Sequence, residues 1–333
     1  MPAISVIMPV YNAQQYLSDS ITSILSQQFD DFEFLIFNDG STDGSTEIIK
    51  SFNDPRIRFT DFSYNQGYVA LLNLGLKNAT GKYIARMDAD DISQPDRFRK
   101  QYDFLEKNPE YIVCGTLFSV IGGRPLVELP LEDEDIKLKM LYITPYCHPS
   151  IMMRADVLRA GQLYYNAEHM PAEDHELWGR LAAHGKFVNL PEPLLNYRVH
   201  DNNISLRKRT SQQIEALYKS RLNYIVWFFE NAALELAELI LLYMLFYKED
   251  DFSYDELLAS GELIQNIIDK NTIYPIHSEK VYDLLAEKFF YRCTTSTSIG
   301  LKSFMLANKF HFVKSSKVAQ LKLLLKALIK YKK

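Results

Sequence analysis

The chain has 333 residues, of which 47% are hydrophobic and 24% are charged, and its net charge is −5. This composition excludes a disordered or fibrous protein, and the length fits one large domain or two of ordinary size. The three cysteines show no metal-ligand spacing, so we expect reduced, packed thiols in a cytoplasmic protein. No apolar run reaches the roughly 18 residues of a membrane-spanning helix. Residues 222–247 come nearest, but three glutamates interrupt them, and we expect one buried amphipathic helix there.

Short apolar strands alternate with helices through the first hundred residues. The predicted strands are residues 4–10, 33–38, 56–62 and 83–87. The predicted helices are residues 14–27, 46–52, 66–78 and 95–107. Such alternation with short connections predicts an α/β domain with a mostly parallel sheet flanked by helices. Ligands of these sheets bind beyond the carboxyl ends of the strands.

The alternation weakens after residue 107. Strands are predicted over residues 111–121, 147–154 and 194–199, and a helix from residue 171 to residue 185. From about residue 206 the pattern is helical throughout. We therefore predict one α/β domain over residues 1–205 and an all-helical region over residues 206–333.

Three aspartates, Asp88, Asp90 and Asp91, directly follow the fourth predicted strand. Carboxylates this close repel one another unless a cation neutralises them, and oxygen ligands suit Mg²⁺ or Mn²⁺. The alternative is an acidic turn at the start of a helix. A Gly-Ser-rich loop and the pair Tyr11-Asn12 fall at the same predicted edge, which favours a ligand site. The chain lacks GxGxxG and the P-loop lysine, which argues against a dehydrogenase, a kinase or an ATPase.

Five separated motifs, taken together, resemble those of the family 2 glycosyltransferases of the GT-A fold. They are PVYN at 9–12, NDGSTD at 38–43, NQG at 65–67, DADD at 88–91 and ED at 173–174. The resemblance extends to about residue 205 and implies a Rossmann-like, nucleotide-sugar-binding domain. It also implies inverting transfer of a sugar from a nucleotide-sugar donor, expected to be a UDP-sugar, with Mn²⁺ or Mg²⁺ as cofactor.

The resemblance assigns roles to single residues. The expected nucleotide contacts are Pro9, Val10, Tyr11, Asn12, Asp39, Gly67, Asp88 and Ala89. The expected metal ligands are Asp90 and Asp88, with His200 completing the shell. Asp174 is the expected catalytic base, with Glu173 beside it. An ionised carboxylate can take the proton of an acceptor hydroxyl, while the cation stabilises the departing diphosphate.

Several of these residues also have a purely structural interpretation. Glu173 and Asp174 suit the positive N-terminus of any helix. Asp39 is a common turn residue, and His200 is explained equally well as a surface histidine.

Four further residues have two interpretations each. His148 either lines the sugar site or packs beside Pro149. Arg86 and Arg198 either contact phosphate or pair with the aspartates. Trp178 either forms a platform for the acceptor or packs in the core, and the core is favoured.

The charge is distributed unevenly along the chain. The last 46 residues contain eleven Lys and Arg and no acid, which leaves −16 on the first 287 residues. Lys322, Lys326 and Lys330 recur at a spacing of four opposite a row of leucines, a basic amphipathic pattern. It predicts either binding to an anionic membrane surface or packing on the helical region. Nucleic acid is not expected as a partner, because the rest of the chain is acidic.

We therefore expect transfer to a glycan or lipid-linked acceptor in the biosynthesis of cell-surface polysaccharide or lipopolysaccharide. The enzyme would be cytoplasmic and peripheral at the inner face of the plasma membrane. One alternative is a non-catalytic nucleotide-sugar-binding scaffold or sensor, which would not need a base at Asp174. A nucleotidyltransferase would carry a Gly-rich, basic loop after the first strand, and residues 11–15 have neither feature.

Overall fold

The computed structural model describes residues 1–124, 126–201, 203, 208–248, 251–270, 278–296, 299, 301–310, 312–313, 319 and 322–324. The chain divides into two compact units, Met1–Ser220 and Arg221–Lys333. The predicted domain limit near residue 205 follows the last strand of the first unit, and it stays a prediction. Lys326 and Lys330 of the basic tail lie outside the described residues, so the predicted membrane contact is also still a prediction.

The first unit is built on one mixed sheet, which has eight strands within the described ranges. The strands are β1 (Ile4–Val10), β2 (Phe32–Asn38), β3 (Ile57–Asp61), β4 (Tyr83–Arg86), β5 (Ile92–Ser93), β6 (Tyr111–Val120), β7 (Met152–Arg154) and β8 (Lys186–Tyr197). Their order is β3-β2-β1-β4-β7-β6-β8-β5. The first four run parallel, as predicted, and β6 pairs with β8 in parallel. β7 runs antiparallel to both of its neighbours, and β5 antiparallel to β8.

The described helices fall into two groups along the chain. Those of the first half are α1 (Leu17–Leu25), α2 (Ser45–Ser51), α3 (Tyr68–Asn78), α4 (Arg97–Lys107), α5 (Asp133–Met140), α6 (Ala155–Ala160) and α7 (Glu173–Leu181). The later ones are α8 (Ser211–Phe228), α9 (Leu236–Tyr247), α10 (Tyr254–Lys270), α11 (Ser278–Thr295) and α12 (Leu301–Lys309). The predicted helical character of the C-terminal region is confirmed over the ranges that the structure describes. Among the residues that can be described, no helix combines the length and the apolar character needed to cross a membrane.

The predicted single helix over residues 222–247 is wrong. α8 ends at Phe228, a 3-10 helix follows over Glu230–Ala232, and Ala233 takes a left-handed conformation with φ of 49°. Glu235 then begins α9 through a capping box, in which the Glu238 side chain accepts a hydrogen bond from the Glu235 N–H at 2.8 Å. Two of the three interrupting glutamates therefore start a new helix instead of lying on the polar face of a continuous one.

Two predicted strands have different limits in the structure. In the strand predicted over residues 147–154, His148–Ser150 form a 3-10 helix and only Met152–Arg154 pair in the sheet. Proline at the start of the 3-10 helix explains this, because it removes a donor and suits a first helical turn. The strand predicted over residues 194–199 is the second half of the longer β8.

The parallel strands bring several loops to one edge of the sheet. Val10 is paired with Asn38, and Ile7 with Arg86, so the chain leaves β1, β2 and β4 at neighbouring positions. Every residue of β2 is buried, as is expected for a continuous apolar strand covered on both faces. The buried strands thereby fix the starting points of the loops that carry the motifs.

Candidate active site

The loops that follow β1, β2 and β3, residues 11–14, 38–45 and 64–67, are called here the nucleotide loops. Asn12 has a left-handed φ of 49°, which asparagine tolerates better than most residues. Its N–H donates to Ser41 Oγ at 3.0 Å, and its Oδ1 accepts from the Thr42 N–H at 2.8 Å. Next to it, the Gln14 N–H donates to Asp43 Oδ2 at 3.0 Å. The first two nucleotide loops are thus held together by side chains that satisfy backbone groups.

Asp39 joins the third nucleotide loop to the other two. Its carboxylate accepts from the Gln66 N–H at 2.5 Å and from the Gly67 N–H at 3.1 Å. Gly67 has φ of 88°, a conformation that favours glycine, and α3 starts directly after it. Two of the predicted nucleotide-binding residues, Asp39 and Gly67, are therefore in direct contact.

The predicted nucleotide contacts differ in their exposure. Tyr11 is 52% exposed, and Asn12 is also exposed. Val10, Asp39 and Ala89 are buried. Of the buried residues, Asp39 holds the nucleotide loops together, whereas the half-exposed Tyr11 ring is accessible to a ligand.

Asp88, Asp90 and Asp91 gather at the end of β4. Each offers a carboxylate oxygen within 4.8 Å of the others. Asp91 is fully buried, its Oδ1 accepts from the Arg198 N–H at 2.8 Å, and its Oδ2 has no hydrogen-bond partner. Burial raises the pKa of Asp88 to about 6, with Arg86 opposing this shift and Asp90 adding to it. Crowded oxygen donors that include an unpartnered carboxylate oxygen fit a hard divalent cation.

His200, the third expected metal ligand, lies beside Asp90. Its Nε2 is 2.9 Å from Asp90 Oδ2, and its ring centroid is 5.1 Å from that of Tyr16. Its backbone N–H donates to Asn203 Oδ1 at 2.7 Å, which fixes the loop after β8. Arg198 donates from Nε to the main-chain oxygen of Asp90 at 2.8 Å and covers the Tyr16 ring at 4.4 Å. Arg198, directly after β8, therefore holds residues 88–91, called here the aspartate loop.

A second acidic pair, Glu173 and Asp174, begins α7. Glu173 is 4% exposed, and burial raises its pKa to about 7, with Asp174 adding to the shift while Tyr68 and Arg86 oppose it. Burial also raises the pKa of Asp174, against the His175 N–H, which donates to Asp174 Oδ1 at 2.6 Å. These carboxylates are poised to exchange a proton nearer to neutral pH than ordinary ones.

Arg86 connects the two acidic groups. Its guanidinium is buried, and Nη2 lies 2.8 Å from Asp88 Oδ1. Burial lowers the pKa of Arg86, but Asp88 and Glu173 outweigh this and raise it. The Arg86 charge lowers the pKa of Asp174 in return. We call Arg86, the three aspartates at β4 and the pair Glu173–Asp174 the charged network.

Trp178 is a core residue and not an acceptor platform, because it is fully buried and its ring packs edge-on against Tyr146 at 5.5 Å.

His148 Nε2 lies 2.8 Å from the Tyr165 hydroxyl, and the His148 ring packs edge-on against Trp178 at 5.7 Å. The Asn73 side chain makes two hydrogen bonds to the Tyr165 backbone. Its Nδ2 donates to the Tyr165 carbonyl oxygen, and its Oδ1 accepts from the Tyr165 N–H, each at 2.8 Å. Tyr165 lies next to the charged network: burial raises the pKa of its hydroxyl, Arg86 opposes this shift and Asp174 adds to it.

The sequence of the first unit matches the family model described as Glycosyl transferase family 2 over residues 5–161. A glycosyltransferase of Haemophilus influenzae is 38% identical over 218 residues, which cover 61% of this chain and 68% of that protein. This chain belongs to glycosyltransferase family 2. An O-antigen biosynthesis glycosyltransferase of Escherichia coli, WbnJ, is 32% identical to this family 2 enzyme over 205 residues, 60% of the chain and 80% of WbnJ.

The fold of this family 2 enzyme is also that of solved structures. The crystal structure of Staphylococcus aureus TarS 1–349 in complex with UDP-GlcNAc aligns with a TM-score of 0.61 at 17% identity. The alignment covers 99% of this chain and 91% of the TarS chain. Together with the mostly parallel sheet and the helical C-terminal region, the likeness confirms the predicted GT-A fold class.

Sequence reasoning missed Tyr68 and Tyr165 of this family 2 enzyme. Tyr68 faces Glu173 from the first position of α3, and Tyr165 lies in an irregular stretch before α7. Neither residue belongs to a motif. Tyr68 directly follows the NQG motif, and that position is the only signal that could have indicated it.

Proposed function

We propose that this enzyme transfers a sugar, with inversion, from a UDP-sugar to a glycan or lipid-linked acceptor in the synthesis of a cell-surface polysaccharide. The UDP-sugar is supported by the likeness to TarS, whose structure contains UDP-GlcNAc. The polysaccharide is supported by WbnJ, an O-antigen biosynthesis enzyme. The observation that carries the proposal is the position of Arg86, which pairs with Asp88 and acts electrostatically on Glu173 and Asp174.

The leaving-group side of the reaction would be formed by Asp88, Asp90 and His200. These residues would hold Mn²⁺ or Mg²⁺, which when bound neutralises the departing diphosphate. Arg198 and the buried Asp91 keep the aspartate loop against β8, because the Asp91 carboxylate accepts from the Arg198 N–H. The carboxylates are thereby oriented before a donor arrives, which avoids the cost of reorganising them during the reaction.

The acceptor side would be formed by Asp174, acting as the base that takes the proton of the attacking hydroxyl. The Arg86 charge counteracts the effect of burial on the pKa of Asp174 and favours the ionised form. Glu173, whose pKa is about 7, is partly protonated at neutral pH and can donate a hydrogen bond to a sugar oxygen. Two adjacent carboxyl groups can thus take different roles.

Turnover distinguishes the enzyme from a nucleotide-sugar sensor. The purified 333-residue chain is assayed for UDP release with a panel of UDP-sugars, with Mn²⁺ and with a chelator. We expect Mn²⁺-dependent release that falls at least about a hundredfold in Asp90→Ala. The control is Asp103→Asn. The Asp103 side chain is 48% exposed, and its ion pair with Arg99 on α4 is long at 4.0 Å.

The stereochemistry of the product tests inversion. We expect proton NMR of the first product to show an anomeric configuration opposite to that of the donor. A retained configuration would overturn the proposed mechanism, and donor binding without any UDP release would support the sensor.

A further inference from the structure

His175 directly follows the expected base, Asp174, and makes polar contacts through its backbone N–H and both ring nitrogens. The His175 N–H donates to Asp174 Oδ1 at 2.6 Å. The His175 ring is buried, with Nε2 lying 2.8 Å from the main-chain oxygen of Met140 and Nδ1 lying 3.2 Å from Ser220 Oγ. The first turn of α7 is therefore tied to the end of α5 and to the middle of α8.

These partners determine which nitrogen of His175 carries the hydrogen. A carbonyl oxygen can only accept, so Nε2 must donate to Met140. In a neutral ring Nδ1 is then the acceptor, and the Ser220 hydroxyl must donate to it. Ser220 Oγ is also 3.5 Å from the main-chain oxygen of Ala172, but its single hydrogen is directed to the closer histidine nitrogen.

We propose that Ser220 and His175 are positioning residues, which orient Asp174 for proton transfer. The Asp174 carboxylate is directed by the His175 N–H, the His175 ring is directed by Ser220 and Met140, and the exposures of His175 and Ser220 are only 3% and 1%. A misplacement of a base by about 1 Å can reduce a rate up to about a hundredfold. The inference rests on the proposed function, because it requires Asp174 to be the base.

Two substitutions remove the same contact from opposite sides. Ser220→Ala removes the donor, whereas His175→Gln keeps a nitrogen that can reach Met140 and loses the acceptor at Nδ1. Each is expected to lower kcat about tenfold with the donor KM changed less than about twofold, because only the base is displaced. The double variant should lose no more than either single one, since the contact can be lost only once.

Two controls separate positioning from folding. Ser220→Thr retains the hydroxyl and should keep kcat within about threefold of the native value. Ser260→Ala removes another buried helical hydroxyl, one that donates to the main-chain oxygen of Glu256 at 2.7 Å, and should leave kcat unchanged. Melting temperatures are measured for all variants, and His175→Gln serves as the test if Ser220→Ala does not fold.

The outcomes also separate this inference from the proposed function. If Asp174→Asn is inactive while Ser220→Ala and His175→Gln have native kcat, the positioning role is overturned and the base assignment stands. A lower melting temperature without a change in kcat overturns it equally, because the contact would then be structural only. If Asp174→Asn turns over at the native rate, the base assignment itself fails.

Discussion

The nucleotide loops and the charged network lie at the same edge of the sheet but differ in how their polar groups are satisfied. In the nucleotide loops, the side chains of Asn12 and Asp39 accept hydrogen bonds from backbone N–H groups of neighbouring loops. In the charged network, buried atoms of Arg86, Asp91 and Glu173 have no hydrogen-bond partner. These polar groups of the nucleotide loops thus find their partners within the protein, whereas the charged network leaves buried polar atoms without a partner.

This difference suits the nucleotide loops to donor binding and the charged network to the chemical step. Loops whose polar groups are already hydrogen-bonded are pre-organised, so binding a ligand does not cost the conformational entropy of ordering them. Buried polar atoms without a hydrogen-bond partner are costly in the free protein and gain partners when a ligand brings complementary groups. We therefore expect changes in the nucleotide loops to affect donor KM, and changes in the charged network to affect kcat and stability.

Arg86→Gln should have the largest effect, because the guanidinium is the only cation described within the charged network. Without it, Asp88 and the pair Glu173–Asp174 lose the charge that opposes the effect of burial. Removing one partner of a buried ion pair typically costs about 3–5 kcal/mol. We expect a loss of that size in denaturant unfolding, and at least about a hundredfold lower kcat.

Arg99→Gln is the matched control for this substitution. Its pair with Asp103 has 48% of each side chain exposed, so it should change stability by less than about 1 kcal/mol. Equal effects of the two arginine substitutions would contradict the role of Arg86 in the charged network.

Glu173 should make the stability of the metal-free protein depend on pH. Its pKa is about 7 in the folded chain against 4.5 for the ordinary residue, so the folded state binds the proton more tightly. The resulting stabilisation is complete below about pH 4.5 and is lost as the pH rises to about 7, by roughly 3 kcal/mol at most. Denaturant unfolding between pH 4 and pH 8 measures it.

Glu173→Gln removes this titration, so the variant should lose less stability than the native chain over that pH range. The control Glu168→Gln, at a position with 77% of the side chain exposed, should follow the native profile. Identical profiles for all three proteins would show that Glu173 has an ordinary pKa.

Asp39→Asn should have the smallest effect and should act on binding. The amide has one accepting oxygen instead of two, so one of the bonds from the Gln66 and Gly67 N–H groups is lost. Loss of one such bond costs about 1–3 kcal/mol, and we expect donor KM to rise about tenfold with kcat nearly unchanged. Gln66→Ala keeps its backbone N–H and is the control, with KM expected within about twofold. A fall in kcat at unchanged KM would contradict the assignment of Asp39 to binding.

The same two regions differ in how far the sequence predicts them. The strands β1, β2 and β4 are short, mostly apolar and buried, so their positions and the loops at their ends follow from local pattern. β7 and β8 were predicted with wrong limits, because their pairing depends on residues far away in the chain. The site motifs were visible, but the electrostatic effect of Arg86 on Glu173 and Asp174 joins residues almost 90 positions apart, and no local spacing encodes it. The break between α8 and α9 was missed because the capping box at Glu235 resembles the polar face of one long helix.

The most direct test of the account compares donor binding and sugar transfer in Asp174→Asn and Asp90→Ala. We propose the base on α7 and the cation at the end of β4, with Arg86 pairing with Asp88 and acting electrostatically on Asp174. Calorimetry should show Mn²⁺-dependent UDP binding within about threefold of native in Asp174→Asn, with transfer reduced at least about a hundredfold. Asp90→Ala should lose the Mn²⁺-dependent part of UDP binding. Native transfer by Asp174→Asn, or unchanged Mn²⁺-dependent binding by Asp90→Ala, would contradict the account.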